Sequence, residues 1–153
     1  MSSRRAEITM TEDEVEAFLD EQRIVSAATL GRDGWPHVMP LWYVMREGDL
    51  WVWTYAASQK VRNLERDPRA TLLVEAGEDY EELRGVMLRT EAVIERDPDF
   101  VTALGLAIYA RYFDDVPHDV HESVVRQASK RVGIRFVERT RASWDHRKLT
   151  VAR

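Results

Sequence analysis

Lys60 and Arg62 fall in the opening turn of a short helical segment that begins after Ser58. The first turn of a helix carries unpaired backbone N–H groups and the positive end of the helix dipole, so cations placed there suit an anion such as phosphate. The same residues also fit a solvated helix face with Lys60 paired to a nearby acid, and residue type alone leaves both readings open. Just upstream, Trp35, Trp42, Trp51 and Trp53 gather four of the five tryptophans of the chain. Together they offer enough flat apolar surface to hold a planar ring system, although core packing or a dimer interface is the simpler account of the tryptophans taken alone. Thr54 and Tyr55 add hydroxyls suited to the polar edge of such a ring. Tyr43, Tyr55 and His37 are the candidate proton donors, but His37 alternates with Val38 along an extended segment, the pattern of a structural histidine.

Other chemistries find little support. The chain has no cysteine, which removes thiol nucleophiles, disulfides and zinc ribbons. His118 and His121 lie near Asp114, Asp115 and Asp119, but a full ligand set is lacking, and Asp and His commonly open helices; no metal is expected. Glu81 and Glu82 have no partner base, so hydrolysis is not indicated. Gly31 and Gly34 lack a third glycine and lead into a strand, which sets aside the dinucleotide and P-loop folds. With 22 Lys and Arg against 27 Asp and Glu, the net charge of -5 argues against a nucleic-acid or anionic-membrane partner. The longest apolar stretch, 103–110, is too short to span a bilayer, and the basic start Met1 to Arg5 lacks the apolar segment of a secretory signal. The expectation is a soluble cytoplasmic protein.

Positioning these residues requires a sheet. The 153 residues suit one domain. Residues 1–10 are expected as a flexible N-terminus, followed by a short helix that Thr11 and Glu14 cap as a capping box. Alternation predicts strands over 23–30, 36–45 and 50–55, joined by turns at Gly31 to Gly34 and Glu47 to Asp49. A helix capped by Ser58 and stopped by Pro68 comes next, then strands over 70–75 and 83–94. Helices start at Asp97-Pro98 and near Pro117, and Val132, Ile134 and Phe136 mark a last strand. Residues 141–153, with Ser143 to His146 as an edge segment, are expected as a C-terminal tail. About six strands, paired mainly as hairpins with helices between them, predict an α+β fold: a Greek-key type antiparallel barrel with short flanking helices.

Two stretches carry a likeness: Gly31 through Trp42, and Ser58-Gln59-Lys60-Val61-Arg62-Asn63-Leu64 running on to Asp67-Pro68-Arg69-Ala70. In this order the chain resembles the pyridoxamine-phosphate-oxidase-like split barrels, most of all their deazaflavin-dependent branch. The likeness implies a cofactor, coenzyme F420 or alternatively FMN. It implies that Lys60, Arg62 and Asn63 hold the cofactor phosphate, that Thr54, Ser58 and Gln59 line it, and that Pro40, Leu41 and Trp42 pack near the ring. It further implies a homodimer with its sites at the subunit interface, Trp144 reaching across, and hydride transfer to a small-molecule substrate. The alternatives are an FMN-binding protein, an FMN oxidase of pyridoxamine-phosphate type, and a non-catalytic cofactor binder.

Overall fold

A closed antiparallel barrel in the strand order β1-β2-β3-β6-β5-β4 frames the chain. The structure is a computed structural model that describes residues 3–149. The strands are β1 (Ile24–Leu30), β2 (Pro36–Arg46), β3 (Asp49–Tyr55), β4 (Arg69–Ala76), β5 (Arg84–Glu95) and β6 (Arg131–Asp145). This is the α+β barrel that the alternation predicts and the split barrel that the resemblance implies. Every second side chain points inward: Val25 and Ala27, Leu50 and Val52, Leu72 and Val74, Val86 and Leu88, Ile134 and Phe136 fill the interior. The β2–β3 hairpin turns on Glu47 and Gly48, whose φ values of 51° and 83° are both positive. A two-residue turn of that hand matches the twist of the strands it joins.

Helices close the two ends and one side. α1 (Arg4–Ile8) lies within the stretch expected as a flexible N-terminus, and Ser3 caps it. α2 (Glu12–Glu21) has the predicted capping box and buries Val15, Phe18 and Leu19 at one end of the barrel. α3 (Gln59–Arg66) covers the other end through Val61, Asn63 and Leu64. α4 (Pro98–Tyr109) and α5 (His118–Ala128) pack outside the barrel, where Val101, Leu104, Ile108 and Val124 form a second small core with Trp53. No helix among the described residues is long and apolar enough to cross a membrane.

One expectation fails. The segment from 141 onward is not a free tail as far as Asp145: it continues β6, which pairs with β5 along its length, Gly85 opposite Trp144 and Arg84 opposite Asp145. A short 3-10 turn, His146–Lys148, follows. Alternation does not mark this end of the strand, because Glu138 to Arg141 is polar on both faces and a register shift falls between Arg89 and Thr90 of the partner strand. Residues 150–153 lie outside the described residues.

Candidate functional site

The barrel is split beside β2. From Pro36 to Trp42 this strand pairs with β1 alone; its ladder with β3 begins only at Tyr43, opposite Val52. Continued, that register would set Leu41 opposite Thr54 and Pro40 opposite Tyr55, but β3 instead runs on with β6 from Trp53 to Tyr55. Pro36 and Pro40 suit such an open edge because they have no N–H to leave unpaired. The break leaves a gap in the ladder with Pro40 and Leu41 on one side and Thr54 and Tyr55 on the other. The turn in which the Ser58 N–H donates to the Tyr55 carbonyl at 3.1 Å brings α3 to its foot.

Lys60 reaches into this foot. Its Nζ donates to the Thr54 hydroxyl at 2.8 Å, and none of the ion pairs among the described residues includes it. Burial lowers its pKa, and the charge of Arg131 lowers it further. Ser58 stands at the helix N-cap, yet its hydroxyl makes no capping bond; the oxygen is buried without a protein partner. A half-buried cation without a carboxylate and an unused hydroxyl next to it fit an anionic group. The donor set has the chemistry to face an anion such as a phosphate.

The remaining expected residues divide. Arg62 is exposed and has no side-chain partner among the described residues; two positions along a helix turn it roughly 200° from Lys60, so the two cations do not converge from one face. Asn63 is fully buried and supports the site from below: it donates to Thr29 Oγ1 at 3.0 Å and accepts from Gln59 Nε2 at 2.8 Å and from Arg66 at 3.2 Å. Gln59 and Asn63 border an open cavity of about 470 Å³ beneath the Gly31–Trp35 turn, which His37 also lines. The tryptophans do not form one platform. Trp42 stacks on Tyr112 with 3.8 Å between centroids, Trp51 meets Phe100, and Trp53 lies beneath Gly105 of α4, while Trp35 projects from its turn at 75% exposure. Tyr43 is withdrawn as a proton donor, since it is wholly buried, donates its hydroxyl to the Leu19 carbonyl at 2.6 Å and has a pKa raised by burial.

The sequence matches the pyridoxamine 5'-phosphate oxidase family over residues 11–144. The chain belongs to this family. A solved structure of a conserved hypothetical protein from Mycobacterium tuberculosis shares 39% identity over 99% of this chain and 95% of its own, with a TM-score of 0.89. A structure described as an F420 reductase shares 23% identity over 83% of this chain and 94% of its own, with a TM-score of 0.65. A FAD-binding protein from Mesorhizobium loti shares 16% identity over 88% and 94%, also with a TM-score of 0.65. The last two show the fold alone. No curated protein matches the chain.

Two residues of this pyridoxamine 5'-phosphate oxidase family member escape sequence reasoning. Thr29 is buried in β1 and orders Asn63, and Arg131 at the start of β6 lies within electrostatic reach of Lys60. Nothing in the local sequence separates either from its neighbours, because the contacts that distinguish them span the barrel. Trp144 sits at the end of β6 remote from Arg131, with its ring on Gly85. Within one protomer it is not brought to Lys60. Among the described residues no three His, Asp or Glu side chains converge as metal ligands, and His118 faces Glu122 at 3.4 Å.

Proposed function

We propose that this chain is a homodimeric oxidoreductase that binds a deazaflavin, coenzyme F420, in the cleft between β2 and β3 and passes a hydride between it and a small organic substrate. The observation that carries the reading is Lys60, half-buried, without a carboxylate and hydrogen-bonded only to Thr54 at the foot of a strand gap. Family membership supports a flavin-class cofactor, and the run Lys60-Val61-Arg62-Asn63-Leu64 with Asp67-Pro68-Arg69-Ala70 favours the deazaflavin branch. FMN is the second reading, because Lys60 and Ser58 address a phosphate that both cofactors carry.

When bound, the reduced deazaflavin supplies the hydride to an electron-poor carbon. The chain's own work is to hold and to exclude. Lys60 and Ser58 would hold the phosphate, and Arg62, on the far face of α3, would not take part. Pro40 and Leu41 would bound the ring on the β2 side and keep water from it. Tyr55 and His37 remain the side chains able to hold a proton near the cleft; Tyr55 is half-exposed, and the His37 Nδ1 is buried without a protein partner. A second copy has a surface to meet, since Ile24, Val38 and Trp42 leave an apolar face exposed along β1 and β2. It would cover the cleft and give Trp144 the route to a site that its own protomer denies it.

Tryptophan fluorescence titrated with oxidised F420 and, separately, with FMN tests this reading. Saturable quenching by F420 and not by FMN supports the deazaflavin assignment, preference for FMN moves the protein to the flavin branch, and no response to either sinks the cofactor reading.

A further inference from the structure

The β4–β5 hairpin carries opposite charges at its two ends, on the face turned away from the barrel. Ala70, Leu72 and Val74 of β4 and Val86, Leu88 and Thr90 of β5 are buried inside, so alternation puts Arg69, Thr71 and Leu73, with Met87, Arg89 and Glu91, outside. At the open end of the hairpin Arg69, Arg89 and Arg139 line a cavity of about 570 Å³, with Leu30 and Pro36 as its apolar side. Arg69 binds Asp67 and Arg139 binds Glu91 through Nε and Nη2, which leaves Nη1 of each for another acceptor. Arg89 takes part in none of the ion pairs among the described residues.

The closed end carries the acids. The loop 77–82 between β4 and β5 holds Glu78, Asp79, Glu81 and Glu82, all exposed, and none of them joins an ion pair among the described residues. Four carboxylates within five residues repel one another until cations meet them. The arginines of the same chain are out of reach: from the Ala76–Arg84 pair to the Thr71–Arg89 pair is five residues, about 17 Å at about 3.4 Å per residue.

Between the two ends the outer face is small and apolar. Pro40, Ser26, Leu73, Met87 and Ala142 stand in one row across β2, β1, β4, β5 and β6, each opposite the next. Leu73 and Met87 are partly exposed and belong to neither core, and Ile24, Val38 and Trp42 extend the same face over β1 and β2. Arg69 and Gly77 lie four residues from Leu73 in opposite directions. A two-fold axis along this row turns a second copy face to face and exchanges the ends of its hairpin. Each loop then meets the other copy's arginines, the reciprocity that a closed pair requires.

We propose that the 77–82 loop of one copy docks on Arg69, Arg89 and Arg139 of a second, with Leu73 and Met87 packed at the two-fold axis. The contact rests on the homodimeric reading above, and it adds which surfaces meet and that opposite charge selects them.

Sedimentation equilibrium of the full chain tests this with two variants, Arg89→Glu and the loop pair Glu81→Lys with Glu82→Lys. All three positions are exposed, and melting temperatures near that of wild type would show that the fold stands. Each variant alone sets like charge against like, and its dimer dissociation constant should rise about tenfold or more. Mixed in equal amounts, the two should form a heterodimer as tight as the wild-type dimer. In that pair the carboxylate placed at position 89 of one chain meets the ammonium groups placed in the other's loop, and native Arg89 meets the native loop. Arg126→Glu, on the exposed face of α5, changes charge equally and should leave the constant unaltered. A further measurement needs no variant: raising salt from about 0.1 M to about 1 M shortens the screening length from about 10 Å to about 3 Å and should loosen the wild-type dimer. Variants that dimerise as wild type does, a mixture no tighter than its parts, or a salt-insensitive wild-type dimer would each overturn the docking and leave the homodimer standing on another interface. A wild-type chain that stays monomeric removes the homodimer and the docking together.

Discussion

Asn63 donates its amide to the Thr29 hydroxyl at 3.0 Å, and both side chains are buried where α3 meets the end of the barrel. The amide oxygen accepts from Gln59 and Arg66, and Arg66 itself donates to the Leu30 carbonyl at 2.6 Å, so Asn63 and Arg66 together fasten α3 to β1. Lys60 is presented to the cleft from that fastening. The site thus has a polar support beneath it rather than an apolar one, at the cost of buried groups that must stay paired.

Removing one partner leaves the other unsatisfied. Thr29→Val should destabilise the protein by about 1–3 kcal/mol and Asn63→Ala by at least as much, with the double variant costing less than the sum. Urea denaturation of the four proteins measures this. Additive losses would show that the two residues do not act together.

The Lys60 pKa is depressed, and the sign of its effect follows. Below the folded pKa the group is charged in both states and the penalty of burying it beside Arg131 is fully present; above the ordinary value of 10.5 it is neutral in both and the penalty is gone. The unfolded chain binds the proton more tightly, so this group makes stability rise with pH between its folded pKa and 10.5. Lys60→Met should accordingly raise the melting temperature of the ligand-free protein at pH 7 and abolish phosphate binding. Phosphate affinity of the wild type should fall as pH climbs through that window, and a flat profile would remove Lys60 from the anion site.

Gly105 lies against Trp53. A Cβ at this position would stand 2.7 Å from the Trp53 Cε2 and 2.8 Å from its Cζ2, so Gly105→Ala must push α4 off the barrel. The expected loss is about 1–3 kcal/mol, with a shift in tryptophan emission that chemical denaturation followed by fluorescence would reveal. Emission and stability equal to wild type would mean that α4 accommodates the methyl without moving.

Arg111 ties three backbone carbonyls, donating to Tyr43, Asp20 and Gln22 at 2.6 Å each. It thereby closes the C-terminal end of α2 and fixes it to β2. Arg111→Met should cost about 2–4 kcal/mol, and Arg111→Lys should recover little of it, because one ammonium cannot reproduce a planar fork. Thermal melts decide the point: full rescue by lysine would reduce the role to charge.

The barrel strands are legible through alternation, which is local. Val25-Ala27-Thr29, Leu50-Val52-Thr54 and Val132-Ile134-Phe136 each announce a buried face because side chains alternate across any strand, whatever it pairs with. The hairpin glycines and the capping box of α2 are legible for the same reason: their partners lie within four residues. The end of β6 is not, since its pairing with β5 supplies what its polar sequence does not advertise.

For the site, the residue types at Lys60 and Ser58 and their place at a helix start were decided by the sequence, as was the absence of any competing thiol or glycine-rich phosphate loop. Tertiary structure decided which of the neighbours act with them. Helical periodicity carries Arg62 away from Lys60, burial commits Asn63 and Tyr43 to holding the frame, and strand pairing across the barrel brings up Arg131 from the other half of the chain. The physical reason is distance along the chain: propensity and periodicity act over one or two turns, whereas Arg131 of β6 comes within electrostatic reach of Lys60 of α3 only once the strands have closed.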